Sequence, residues 1–188
     1  METFKERFEK RAKALGTREI YVPGAELVDL PPEIRKKYKS GGAAVFAHGK
    51  KLIDAAEKKY PAVALNSVYF LKYGVSGIIG YSAVITYSQN VGMLVICDER
   101  LTITEDNADY AVNGYLKAPT GEDLSETGQI PLEEHGYNAD AITVSSGSSK
   151  KGLQRLSEAA SSAGREIMAP GENGALKGIL SGLELKLN

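Results

Sequence analysis

Apolar positions along the chain fall into short stretches whose spacing predicts alternating helices and strands. Phe4, Phe8, Ala12 and Leu15 recur at helical spacing, and Gly16 follows as a natural stop. "REIYVPG" reads as a short strand closed by Pro23–Gly24, and "VDLPPEIRKKYKSGG" as a turn followed by a single helical turn. The glycine-bounded run "GGAAVFAHG" predicts a buried strand. "KKLIDAAEKKY" then predicts a helix with Leu52, Ile53 and Ala56 on one face. "PAVALNSVYFLKYG" fits either a helix with Pro61 in its first turn or a strand.

From Tyr81 to Thr104 the composition is that of β structure. "YSAVITYS" and "GMLVICDERLTIT" are joined by "QNVG", which predicts a hairpin, and both faces of "MLVIC" are apolar, as in an interior strand. Residues 105–138 carry one strand candidate, "YAVNGYLK", among turn residues and acids; this stretch is expected to be a lid, a binding loop or a boundary. A strand at Ile142–Val144 follows. Leu153, Leu156, Ala160 and Ala163 then mark a helix ending at Gly164, and Leu183, Leu185 and Leu187 a last strand. The expected fold class is α/β (α+β): a mixed or antiparallel central sheet flanked by helices, in a single domain over 1–188 with a long central loop.

A net charge of -1 argues against a general nucleic-acid binder. The single cysteine, Cys97, excludes an internal disulfide framework, a Cys-rich zinc site and an iron–sulfur cluster built on this chain alone. The charged amino terminus has no secretory pattern, and no apolar run approaches the roughly eighteen residues needed to span a membrane. No membrane association and a cytoplasmic location are the expectations.

Candidate chemistry is sparse. The loop "SSGSSKKG" joins a strand to a helix, where Ser148, Ser149, Lys150 and Lys151 could hold a phosphate with the helix amino terminus; plain capping by Ser148 or Ser149, with the lysines in water, is the simpler reading. Cys97 could pair with His135 or His48, but Asp98 and Glu99 beside it would raise its pKa, so a buried structural cysteine is expected. The acids of "CDE" and "TEDNAD" lack calcium-loop spacing and read as solvated, and no metal is expected. No catalytic residue is assigned. Tyr60, Tyr69, Tyr73, Tyr81 and Tyr87 suit stacking on a planar cofactor or a protein interface.

The stretch "YGVSGIIGYSAVITYSQ" places Gly74, Gly77 and Gly80 just before the predicted strand, with Tyr81 and Ser82 next in line. Glycines there would let a backbone approach a flat, bulky ligand. Gly74, Gly80, Ser82, Ala83, Val84, Thr86, Asp98 and Leu101 can be laid, with one insertion, onto a glycine-rich segment of the corrinoid-dependent epoxyqueuosine reductase and reductive dehalogenase family. The resemblance covers about residues 5–104 and implies a corrinoid or flavin-type cofactor at Gly74, Gly77, Gly80, Tyr81 and Ser82, without the family's iron–sulfur part. On this reading the protein is a small-molecule or cofactor-binding carrier or divergent enzyme. Two alternatives stand beside it: a homo-oligomeric interaction protein with a tyrosine-rich β interface, and an enzyme holding a phosphorylated ligand at the 145–152 loop.

Overall fold

The computed structural model describes residues 1–117 and 136–187. Its helices are α1 (Phe4–Leu15), α2 (Pro32–Lys37), α3 (Gly41–Ala56), α4 (Ser67–Phe70), α5 (Gly74–Asn90), α6 (Ala108–Ala111) and α7 (Lys150–Ser162). Its strands are β1 (Glu19–Ile20), β2 (Ala62–Leu65), β3 (Leu94–Leu101), β4 (Ala141–Val144), β5 (Glu166–Pro170), β6 (Leu176–Gly178) and β7 (Glu184–Leu187).

The seven strands form one sheet in the order β1-β7-β6-β5-β4-β3-β2. Strands β2 to β5 pair in parallel, β5-β6-β7 form an antiparallel meander, and β7 runs parallel to β1. The two edges then meet. Tyr21, just past β1, donates its N–H to the Ala62 carbonyl at 3.0 Å and accepts from the Ala64 N–H at 2.8 Å, a parallel bridge to β2. The sheet is thus mixed, as expected, but it curls into a barrel.

Alternation along each strand separates two cores. Ala62, Ala64, Leu94, Ile96, Ala141, Met168 and Leu185 fill the inside, together with Phe4, Phe8 and Ala12 of α1. Val63, Leu65, Val95, Cys97, Ile142, Val144 and Ile167 face outward under the helices. Helix α1 closes the amino-terminal end of the parallel strands: Arg7 reaches Asp140, just ahead of β4, at 2.5 Å. Its start is fixed by a capping box between Thr3 and Glu6, its end by Gly16 at φ 71.

Several local expectations are corrected. "GGAAVFAHG" opens helix α3, and "YSAVITYS" belongs to helix α5, so there is no hairpin before β3. The cause is the contact between these two helices. A Cβ at Gly42 would lie 2.3 Å from the Ser76 carbonyl oxygen, one at Gly80 3.1 Å from the Gly42 oxygen, and one at Gly49 2.8 Å from Val84. The glycines let two helix backbones approach, and burial outweighs the poor helix propensity of Gly, Val, Ile and Thr. The 24-residue helical stretch Ser67–Asn90 is also, by length and composition alone, apolar enough to cross a membrane, with a mean hydropathy of 1.3 over a window of 18 residues. "YAVNGYLK" is helical as well, spanning the end of α6 and a π-helical turn at Val112–Leu116.

Candidate functional site

Period-2 alternation carries the inward face of β3 from Leu94 and Ile96 to Asp98, and that of β4 from Ala141 to Thr143. Both polar residues therefore reach the carboxyl-terminal end of the barrel, where barrel enzymes build their sites. Between the pairs Cys97–Ile142 and Leu101–Val144 the register shifts, and Asp98, Glu99 and Arg100 together oppose the single residue Thr143. Such bulges re-aim side chains. Arg100 sits at φ 49, a left-handed conformation that costs a non-glycine residue energy.

Thr143 holds this bulge. Its hydroxyl donates to Asp98 Oδ1 at 2.8 Å and accepts the Arg100 N–H at 2.8 Å. The Arg100 guanidinium lies 3.7 Å from the same carboxylate oxygen. Asn66, just past β2, donates to the Asp98 carbonyl at 2.5 Å. Glu99 points the other way, where it accepts from the Ser67 N–H at 2.9 Å, the Ser67 hydroxyl at 2.8 Å and the Tyr81 hydroxyl at 2.8 Å. The outcome is a carboxylate side chain 12 % exposed beside a largely open guanidinium. The expectation that the acids of "CDE" are solvated is corrected at Asp98. Its signal was in the sequence: a charged run closing a buried strand.

The loop after β4 lies against the same end. Ser145 and Thr102 share a hydroxyl–hydroxyl hydrogen bond of 2.9 Å. Ser148 accepts the Ile103 N–H at 2.9 Å, and Ser149 caps α7 by accepting the Gly152 N–H at 3.0 Å. A Cβ at Gly152 would come within 2.7 Å of Thr104, so only glycine permits this approach. Lys150 is exposed, and Lys151 pairs with Glu105 at 3.3 Å. The two serines thus stitch the loop to the β3–α6 connection, and the two lysines stand in the first turn of α7.

The glycine-rich stretch is placed elsewhere. A Cβ at Gly77 would lie 1.9 Å from the Phe70 carbonyl oxygen, and Gly80 is covered by α3. Tyr81 is buried, with its hydroxyl pKa raised by that burial. Ser82 lines a cavity at the opposite end of the barrel. Gly74 takes φ 59 where α5 begins. Room for a planar guest at Gly77 and Gly80 is therefore filled by protein.

Cys97 is fully buried on the outer face of β3, and burial pushes its thiol up to about 12. His48 contacts the Glu26 carbonyl at 3.2 Å, and His135 lies outside the described residues. Tyr21 stacks on Tyr60 at 5.6 Å and Tyr73 donates to the Val28 carbonyl at 2.9 Å, so several tyrosines serve packing. Among the described residues no group of three His, Cys, Asp or Glu side chains is placed to hold a metal.

Comparison with known proteins points one way. No protein-family model matches the chain. Orotidine 5'-phosphate decarboxylases of Petrotoga mobilis and Clostridium novyi are 28% identical over 69 residues and 26% identical over 73 residues. These stretches cover 37% and 39% of this chain but only 24% and 25% of the relatives. A Streptomyces avermitilis crystal structure, provisionally described as an orotidine 5'-phosphate decarboxylase, superimposes with a TM-score of 0.65 at 18% identity. That match covers 93% of this chain and 56% of the other. The fold is shared.

The chain therefore spans about a quarter of the curated relatives it matches and about half of that structure. These similarities overturn the likeness to corrinoid-dependent reductases, whose apparent motif runs through a packed helix instead of a cofactor-facing turn.

Proposed function

We propose that the carboxyl-terminal end of the barrel binds a phosphorylated, nucleotide-like ligand, in the manner of an orotidine 5'-phosphate decarboxylase-like protein. The observation that carries this reading is the set Asp98, Thr143 and Arg100, assembled through a register shift and a left-handed arginine at the mouth of β3 and β4. Strain retained at a charged, open residue is a mark of ligand sites. The ligand named for the relatives carries a phosphate, a ribose and a carboxylated pyrimidine. Arg100 offers a fixed planar cation for one anionic group, and Asp98 an acceptor for a sugar hydroxyl or ring N–H. Lys150 and Lys151, with the positive end of α7, stand ready for the phosphate, and Ser148 and Ser149 hold their loop in place.

Calorimetric titration with uridine 5'-phosphate, orotidine 5'-phosphate and uridine tests the reading. The nucleotides should bind and the phosphate-free nucleoside should bind far more weakly. Arg100→Ala and the double substitution Lys150→Ala/Lys151→Ala should each lower nucleotide affinity about tenfold. Equal affinities for nucleotide and nucleoside, or no binding of either, would discard it. Loss of the carboxylate of orotidine 5'-phosphate, followed by ultraviolet absorbance, tests turnover in the same sample.

A second reading, self-association, is favoured by one separate observation. Val68, Leu71, Val75 and Ile79 are 54–80% exposed along α4, α5 and the 3-10 turn that joins them. This replaces the tyrosine-rich β interface, because the segment is helical. Sedimentation equilibrium showing only monomer at all concentrations would remove it.

A further inference from the structure

We propose that the amino-terminal end of the barrel carries a second, separate site for a small oxyanion-bearing molecule, in the cavity between α1, the end of α5 and the segment that leads into β4. The cavity measures about 970 Å³, a size suited to a small molecule. Arg7, Lys10 and Arg11 enter it from α1 and Arg165 from the start of β5, whereas the carboxylates in its lining are Glu2 and Asp140. Four cations against two lining carboxylates give this cavity a positive excess in a chain whose net charge is -1.

Lys10 pairs with Glu2 at 3.6 Å, and the other three cations share the two carboxylates Asp140 and Glu57, which leaves positive charge over. Asp140 Oδ1 accepts from Arg7 Nη1 at 2.5 Å and from Arg165 Nη1 at 2.9 Å, so one carboxylate serves two guanidinium groups. Its other oxygen is taken by the Val95 N–H at 2.8 Å. Arg11 donates to the Glu57 carbonyl at 2.8 Å, while the Glu57 carboxylate stands 3.9 Å away. Arg11 Nη1 lies against Gly92, where a Cβ would come within 3.2 Å.

Donors are also in surplus. Among the described residues the buried side-chain polar atoms without a partner are Nε of Arg7, Arg11 and Arg165, all in this one wall. Buried polar groups are ordinarily paired, and three unpaired donors on residues of a single cavity mark a place short of acceptors. Burial also lowers the pKa of Arg11 and Arg165, so an anion there would offset the cost of holding these cations out of water. An oxyanion in the cavity supplies the negative charge that this count lacks. It would bridge α1 to the segments entering β4 and β5, and so stabilise the folded chain by mass action.

The experiment is thermal denaturation and calorimetry of the full chain with inorganic phosphate, pyrophosphate or citrate at constant ionic strength set with chloride. A saturable rise in Tm is expected with at least one of them: phosphate or pyrophosphate would mark a phosphate ligand, citrate a carboxylate one. The double variant Lys10→Ala/Arg11→Gln should bind about tenfold more weakly. In Arg100→Ala, which has lost the anion contact proposed at the other end of the barrel, the saturable rise should persist. Asp140→Asn, which frees two guanidinium groups, should bind more tightly and recover more of its lost Tm on adding the anion. No saturable response to any of the three anions overturns the proposal. So does a response that Lys10→Ala/Arg11→Gln leaves intact, or one that Arg100→Ala alone abolishes.

Discussion

Thr143 donates its hydroxyl proton to Asp98 at 2.8 Å, and both residues are buried. The same hydroxyl accepts the Arg100 N–H, so one threonine ties the carboxylate and the strained arginine to β4. Thr143→Val keeps the shape and removes both bonds. It should lower stability by about 1–3 kcal/mol in urea denaturation, since a buried carboxylate oxygen and a backbone N–H lose their partner. Nucleotide affinity should fall with it if the mouth of the barrel is the site.

Arg100 stands at φ 49, where only glycine is at ease. Arg100→Gly should be more stable than Arg100→Ala by about 0.5–1 kcal/mol, because relief of left-handed strain exceeds the added freedom of the unfolded chain. Both variants lose the cation, so both should bind nucleotide poorly. Equal stability of the two would show that the backbone relaxes once the guanidinium is gone.

Gly77 and Gly80 of α5 are explained by contact. Gly77→Ala would drive a methyl group to 1.9 Å from the Phe70 carbonyl oxygen and should cost about 2–3 kcal/mol. Gly114→Ala meets nothing within 4 Å and should be neutral or stabilising by up to about 1 kcal/mol. Chemical denaturation of the pair separates a packing role from general helix propensity.

The buried Cys97 makes stability sensitive to alkali. Its thiol is held protonated up to about 12, against 9.0 for the free group, chiefly by burial, and Tyr81 is raised in the same direction. Below the unfolded value the thiol is neutral in both states and has no effect. Above it, the unfolded chain releases the proton and the folded chain does not, so stability should fall between about pH 9 and pH 12. Denaturation midpoints across that range check it. Cys97→Ala should flatten part of the slope, and the native thiol should react with a disulfide reagent only on unfolding.

Local pattern was a sound guide wherever a single element carries its own signal. The stripe Phe4–Phe8–Ala12 with Gly16, the interior strand at "MLVIC", the strand before Val144 and the helix ending near Gly164 all lie where spacing places them. Each has an apolar period or a terminating residue that acts within a few positions. The failures at α3 and α5 share a cause. Residues 41–49 and 74–90 are rich in Gly, Ala and β-branched side chains, whose local preferences are weak, and their helices exist because each covers the other. The apparent cofactor motif failed for the same reason.

The site was half legible. "CDER" at the end of an apolar strand marks charge at the carboxyl edge of a sheet, but whether such an acid is solvated depends on what lies beside it. Asp98 is buried because Thr143 arrives from 45 positions away. The arginine cavity likewise gathers Arg7, Arg11 and Arg165 from opposite ends of the chain.

By itself the sequence determined the mixed α/β character, the strands β1, β3, β4 and β7, and the presence of a single cysteine. Only the tertiary structure decided that the sheet curls until Tyr21 meets β2, that the glycines join two helices, and that the charges gather at the two ends of a barrel. The reason is range: helical and strand periods are written in neighbouring residues, whereas closure and burial are settled by partners far apart in the chain.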